Sequence, residues 1–145
     1  MTYNRKSQNK YSKKETKMPE KISIPLSKKY TDPAEIFLDT GIAFKIADEM
    51  GDIPPHQLRK ILNVLKEAVA IVKRNPSNFK EARNKLYYIV PLTAYNAGRD
   101  SKIGVLYDFV YEHINEKSIQ SKEDIEILDQ LFTSIIAYHK CNKNH

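Results

Sequence analysis

The stretch PHQLRKILNVLKEAVAIVKR, from Pro55 to Arg74, decides the fold. Leu58, Ile61, Leu62, Leu65, Val69 and Val72 recur every three or four residues, which places them on one face of a helix. Pro55 suits the first turn, and Asn75-Pro76 ends the pattern. Arg59, Asn63, Lys66 and Lys73 gather on the flank beside the apolar stripe.

Helical signals continue on both sides. Upstream, Asp32, Pro33 and Glu35 predict a helix start, with Ile36, Ala43, Ala47 and Met50 as its apolar stripe and Gly51 as its stop. The Ile53-Pro54-Pro55 turn then leads into the central helix. Downstream, Ser77 is the expected cap of a helix over about 78–97, burying Phe79, Ala82, Leu86, Ile89, Val90 and Thr93. Pro91 should kink or split it near Val90, and Gly98 should stop it. Asp100 predicts the cap of a helix over about 101–115, with Ile103, Leu106, Val110 and Ile114 inward. Ser121 and Asp124 predict a capping box for a last helix carrying Ile125, Leu128, Leu131, Phe132, Ile135 and Ile136. No segment sustains an alternating pattern, so no sheet is expected. The fold class is all-α: a compact bundle of about five helices.

Residues 1–30 differ. They hold nine basic and two acidic groups, lack a hydrophobic period, and predict a flexible basic tail preceding a helical domain over 31–145. Within the tail, Ile22–Leu26 with Pro25 could dock as a small extended piece. The chain's net charge of +6 is the tail's +7 combined with a body of −1. That body is uneven. Residues 31–54 carry −5, residues 55–102 carry +7 and residues 103–145 carry −3. A basic middle between acidic ends can attract a polyanion or an oppositely charged partner surface.

Other classes are disfavoured. One cysteine, Cys141, excludes a disulfide framework and a cysteine-rich zinc site. His56, His113, His139 and His145 lack ligand-like spacing, so no metal is expected. Four glycines provide no phosphate loop, and no cofactor is expected. No nucleophile motif stands out, so no enzymatic activity is expected. No apolar run is long enough for a membrane span and no secretory leader is evident, which predicts a cytoplasmic protein.

Three constellations carry the functional reading. In Gln57-Leu58-Arg59-Lys60, Leu58 turns inward and leaves Arg59 and Lys60 on the surface near free helix-opening donors, where phosphate could bind. A plain solvated face is the alternative. In Ala94-Tyr95-Asn96-Ala97-Gly98-Arg99, Tyr95 and Arg99 share a face, and Tyr88 lies one heptad earlier. Tyrosines with a guanidinium can stack on bases and hold phosphate. Alternatively, Arg99 satisfies helix carbonyls and Tyr95 packs on Pro91. In Ala137-Tyr138-His139-Lys140, His139 falls on the apolar face, which favours a structural histidine, while Lys140 could meet phosphate or helix-terminal carbonyls.

Together, in this order, QLRK, a mid-chain proline followed by AYNAGR, and a near-terminal AYHK resemble the small, all-helical subunit of type III-A CRISPR effector complexes, the Csm small-subunit family. The likeness covers roughly residues 31–143. It implies a non-catalytic RNA-binding subunit whose copies stack head to tail, opposite a filament that holds the CRISPR RNA, and help hold the target RNA in antiviral defence. RNA cleavage and cyclic-nucleotide synthesis would belong to other subunits. The matching positions are Arg59, Lys60, Tyr95, Arg99 and Lys140. With Lys66 and Lys73 from the flank of the central helix, these are the expected RNA-binding residues. The expected partners are target RNA, CRISPR RNA, other Csm subunits and further copies of the chain, head to tail in the complex or as a dimer when isolated. The basic tail departs from the family pattern. A reading of a different class is a helical structural adaptor whose basic strip binds acidic protein partners without touching RNA.

Overall fold

The central helix occupies its expected bounds, Pro55–Arg74. The computed structural model describes residues 18–143, and side chains through Asn142. Residues 1–17, most of the expected tail, lie outside the described residues. Among the described residues there is no strand, and six helices have nine residues or more. These are α1 (Ile42–Met50), α2 (Pro55–Arg74), α3 (Phe79–Tyr87), α4 (Ile89–Arg99), α5 (Gly104–His113) and α6 (Lys122–Lys143).

The apolar stripes meet in one core. Leu58, Ile61, Leu65, Val69 and Val72 of α2 are buried with Ala82 and Leu86 of α3 and Ile125, Leu128, Leu131, Phe132 and Ile135 of α6. Helix α6 lies against α1 and α2, α3 folds back on α2, and α4 packs on α5. Phe109 of α5 meets Phe132 of α6 edge to face at 5.4 Å.

Local chemistry sets the helix ends. Pro91 lacks an N–H and its ring crowds the carbonyl four residues back, so the helix expected over 78–97 divides into α3 and α4 at Tyr88. Gly51 ends α1 with φ 73°, a conformation open to glycine. Gly98 does not act as a stop. Helix α4 runs through it to Arg99, and Asp100 turns the chain by accepting the Lys102 N–H at 3.0 Å. Ser77 is not the cap either, because Asn75 accepts its N–H at 3.1 Å and its hydroxyl at 2.8 Å.

The segment before Met50 is also more broken than its stripe suggests. A single turn, Ala34–Phe37, follows Asp32, whose carboxylate accepts the Ala34 N–H at 3.0 Å. The chain becomes extended at Leu38 and then starts α1. Gly41 is required in this bend, since a Cβ there would lie within 2.3 Å of the Glu35 carbonyl oxygen.

The folded body begins before residue 31. The Ile22 N–H donates to the Glu112 carbonyl and the Leu26 N–H to the Ser118 carbonyl, each at 3.0 Å. Leu26 and Tyr30 are buried in the core. Residues 22–30 are therefore a strap on the body, which moves its start ahead of the expected boundary at 30/31. Buried Asp124 fastens the strap. It accepts the Ser27 N–H at 2.8 Å together with the Gln120 and Ser121 N–H groups at 2.8 and 3.1 Å. Its own N–H faces the Ser121 hydroxyl at 3.4 Å, which completes the predicted capping box.

Candidate nucleic-acid interface

The basic middle of the chain is spent unevenly. Lys66 of α2 reaches Asp129 of α6 at 2.7 Å and Thr133 at 3.4 Å. Lys85 pairs with Glu67 at 3.2 Å. Arg83 is half-buried, with its guanidinium 5.9 and 5.4 Å from the Phe79 and Tyr87 rings. The remaining cations of residues 55–102 are Arg59, Lys60, Lys73, Arg74, Lys80, Arg99 and Lys102. All are exposed, and none has an ion pair among the described residues. The positive surface is therefore carried by seven groups of the ten.

Arg59 and Lys140 come together. They border a groove of ≈ 220 Å³ between the start of α2 and the end of α6, whose walls are Pro55, Leu58, Leu62, Ile136 and His139. His139 is a structural residue, as expected from its apolar face. It is buried, and its Nε2 lies 2.7 Å from the Gly51 carbonyl. A carbonyl only accepts, so Nε2 carries the proton. Lys60 and Lys73 stand on the exposed surface of the same helix α2.

Helix α4 carries the second group. Tyr95 is 64% exposed, and the Arg99 guanidinium lies 5.6 Å from its ring centre. Tyr88 is also exposed, at 58%. Neither tyrosine is consumed by the core, and Arg99 keeps donors free for phosphate. Among the described residues no hydrogen bond or ion pair joins the α4 group to Arg59 and Lys140, although α2 and α4 pack on each other. Lys66 stands apart from both groups because Asp129 neutralises it.

A buried polar cluster escaped the sequence patterns. His113, 1% exposed, is stacked between Phe109 at 4.0 Å and Tyr30 at 5.7 Å. Its Nδ1 donates to the Phe109 carbonyl at 2.9 Å, so Nε2 accepts the Tyr30 hydroxyl at 2.6 Å. Burial pushes the imidazole down to about 4, against the Phe109 hydrogen bond and with help from Lys29. Burial also raises the Tyr30 phenol, as do Glu112 and Glu35. The Glu112 carboxyl is raised by burial and by Asp108, against Lys29 and Lys45. Tyr30 and His113 are 83 residues apart, and no local spacing announces them.

The family model Csm2 Type III-A matches residues 38–145. The chain belongs to the Csm2 family. It is a small subunit of a type III-A CRISPR complex and associates with other Csm subunits. No curated protein and no solved structure matches it. The match spans all six helices of this Csm2 chain but leaves out the strap of residues 22–30. Among the described residues no helix is long and apolar enough to cross a membrane.

Proposed function

We propose that this Csm2 subunit is non-catalytic, binds RNA, and stacks with further copies as a filament holding target RNA along the guide–target duplex in antiviral defence. One observation carries the reading: the basic middle presents exposed cations without an ion pair among the described residues and, on α4, an exposed tyrosine with an arginine over its ring. Guide pairing reads the target sequence, so such a subunit needs phosphate contacts and stacking surfaces rather than base-edge recognition. Arg59, Lys60, Lys73 and Lys140 supply charge, while Tyr95 with Arg99 supplies a stacking platform. CRISPR RNA and target RNA are the nucleic-acid partners.

The test is single-strand RNA binding by Arg59→Glu/Lys60→Glu/Arg99→Glu across a salt series. Each lost phosphate contact should flatten the slope of log affinity against log salt by about 0.7, hence about 2 for three. The helical circular dichroism should stay unchanged, because all three side chains are exposed. Unchanged binding at low salt refutes the assigned surface. The adaptor reading draws on the same exposed cations, Arg59, Lys60 and Arg99, because charge without an ion pair among the described residues attracts a protein carboxylate as well as a phosphate. It requires the same variants to lose assembly while the parent protein binds no RNA at any salt.

A further inference from the structure

The start of the strap closes a cavity to which none of the RNA residues proposed above belongs. It has a volume of ≈ 560 Å³ and lies between residues 21–23, Tyr87 and Val90 at the α3–α4 junction, and the loop after α5, residues 114–117. That size is ordinary for a small-ligand site. Asn115 ties two of its walls together. Its Nδ2 donates to the Ile22 carbonyl at 3.1 Å, and its Oδ1 accepts the Lys117 and Ser118 N–H groups at 2.8 and 3.0 Å. The strap wall precedes residue 38, where the Csm2 match begins, so the family match does not account for the cavity.

The lining carries an unmet donor. The Tyr87 hydroxyl is buried without a hydrogen-bond partner among the described residues. Burial raises the phenol, against Arg83 and with Glu116, so the hydroxyl keeps its proton. An unpaired buried hydroxyl is costly, and an acceptor on a ligand removes that cost. Two exposed lysines, Lys21 and Lys117, line the same cavity, and neither has an ion pair among the described residues. The Lys21 ammonium lies 4.9 Å from the Tyr111 ring centre, and Tyr111 lies 6.1 Å from Tyr107 on α5. Glu116 offsets part of this charge, but residues 1–17, which lead to Lys21, hold six basic groups against one acidic group, with Tyr3 and Tyr11 among them. A flat ring that bears acceptors and an attached anion satisfies all of these groups. An acidic side chain leaves the apolar wall unused, and an aliphatic one leaves the hydroxyl unpaired.

We infer that this cavity takes one nucleotide of single-stranded RNA, with its base against Tyr87 and Val90, a base or sugar oxygen accepting the Tyr87 hydroxyl, and phosphates at Lys21 and Lys117. An unpaired nucleotide can turn its base into a cavity, whereas a paired one cannot. The site rests on the proposed RNA binding and adds a second contact to it, formed by none of the residues assigned there. The charge of residues 1–17 draws the strand toward it.

Oligo(U) binding by the full chain across a salt series tests the site. Lys21→Glu/Lys117→Glu should lower affinity about tenfold or more at low salt, with unchanged circular dichroism. The slope of log affinity against log salt should flatten by about 1.4, at about 0.7 per phosphate. Tyr87→Phe keeps the ring and removes the hydroxyl. It should weaken oligo(U) binding about three- to tenfold without lowering the urea midpoint, because the hydroxyl has no partner in the free protein. Oligo(U) carrying 5-iodouridine should photocrosslink to Tyr87 of the parent. Full affinity in either variant, or a crosslink map without Tyr87, overturns the inference. Polyglutamate binding that the lysine pair weakens while oligo(U) binding holds would also overturn it, by assigning the cavity to an acidic protein segment. A parent that binds no RNA at any salt refutes the RNA function as a whole. Loss of binding in Arg59→Glu/Lys60→Glu/Arg99→Glu, beside full affinity in the cavity variants, refutes the cavity alone.

Discussion

His113 should make the stability of the bundle depend on pH in a defined window. An unfolded histidine titrates near 6.5, whereas the buried imidazole titrates at about 4. The folded state therefore prefers the neutral ring, and the unfolded state takes up the proton first as pH falls. Stability from this site is fully present above pH 6.5, falls by about 1.4 kcal/mol per pH unit below it, and levels off below about pH 4. The separation amounts to about 3 kcal/mol, of which about 2 is lost between pH 7 and pH 5. Asp108 and Glu112 work in the opposite direction. Their raised carboxyls disfavour the fold at neutral pH, and protonation relieves them. The clean measurement is therefore the difference between the parent and His113→Gln, from urea melts at pH 7, 6 and 5. His113→Gln should begin less stable by about 2–4 kcal/mol through lost ring packing. The gap should narrow by about 2 kcal/mol on moving to pH 5. Repeating the pair in a Glu112→Gln background removes the carboxylate 3.8 Å from Nδ1. A gap that stays constant with pH in both backgrounds refutes the buried neutral imidazole.

Asp124→Ala leaves three backbone donors unpaired at the strap and the α6 start, and should lower stability by about 3 kcal/mol in a urea melt. Hydrogen exchange should show residues 22–30 opening first, and unchanged protection there would refute the fastening role. Gly41→Ala forces a Cβ against the Glu35 carbonyl and should cost about 2 kcal/mol or more, read as a drop in melting temperature; an unchanged melt would show that the bend adapts. Lys66→Ala should alter RNA affinity far less than Lys60→Ala in a filter-binding assay, because its charge is already held by Asp129. Equal losses would show that the pair opens on RNA. Deletion through residue 30 should abolish the cooperative melt by removing Leu26 and Tyr30 from the core, and a retained melt would refute the strap's part in the fold.

What could be read from the sequence was governed by distance along the chain. The α2 stripe declares itself through neighbours three and four residues apart, and its bounds are matched in the structure. The Ser121–Asp124 cap is equally local. The strap is not. Residues 22–30 have a tail-like composition, and what fixes them is a carboxylate 97 residues away from Ser27, the Glu112 carbonyl of α5 and the Ser118 carbonyl on the loop after it. Composition reports the average tendency of a segment, whereas a few long-range hydrogen bonds and one buried leucine decide its state. The glycines show the same limit. Gly51 and Gly98 both follow an apolar helical pattern, but only Gly51 adopts positive φ, because the chain must turn there into the α2 start while α4 continues toward Asp100.

The candidate interface shows why residue type alone could not sort the cations. Lys60 and Lys66 lie on one helix, six residues apart, and both fall on polar positions of its pattern. Packing separates them: α6 brings Asp129 to Lys66, while Lys60 remains exposed without an ion pair among the described residues. The tertiary arrangement does the reverse for Arg59 and Lys140, which come from different helices far apart in sequence and share one rim. A phosphate is drawn by charge that the fold has left uncompensated, and a carboxylate already at 2.7 Å removes that attraction at short range. The +7 of residues 55–102 is thus not the local charge: Asp129 lowers it at Lys66, and Lys140 adds to it beside Arg59. The groups that set it are those whose neighbours in space, rather than in sequence, carry no opposing charge.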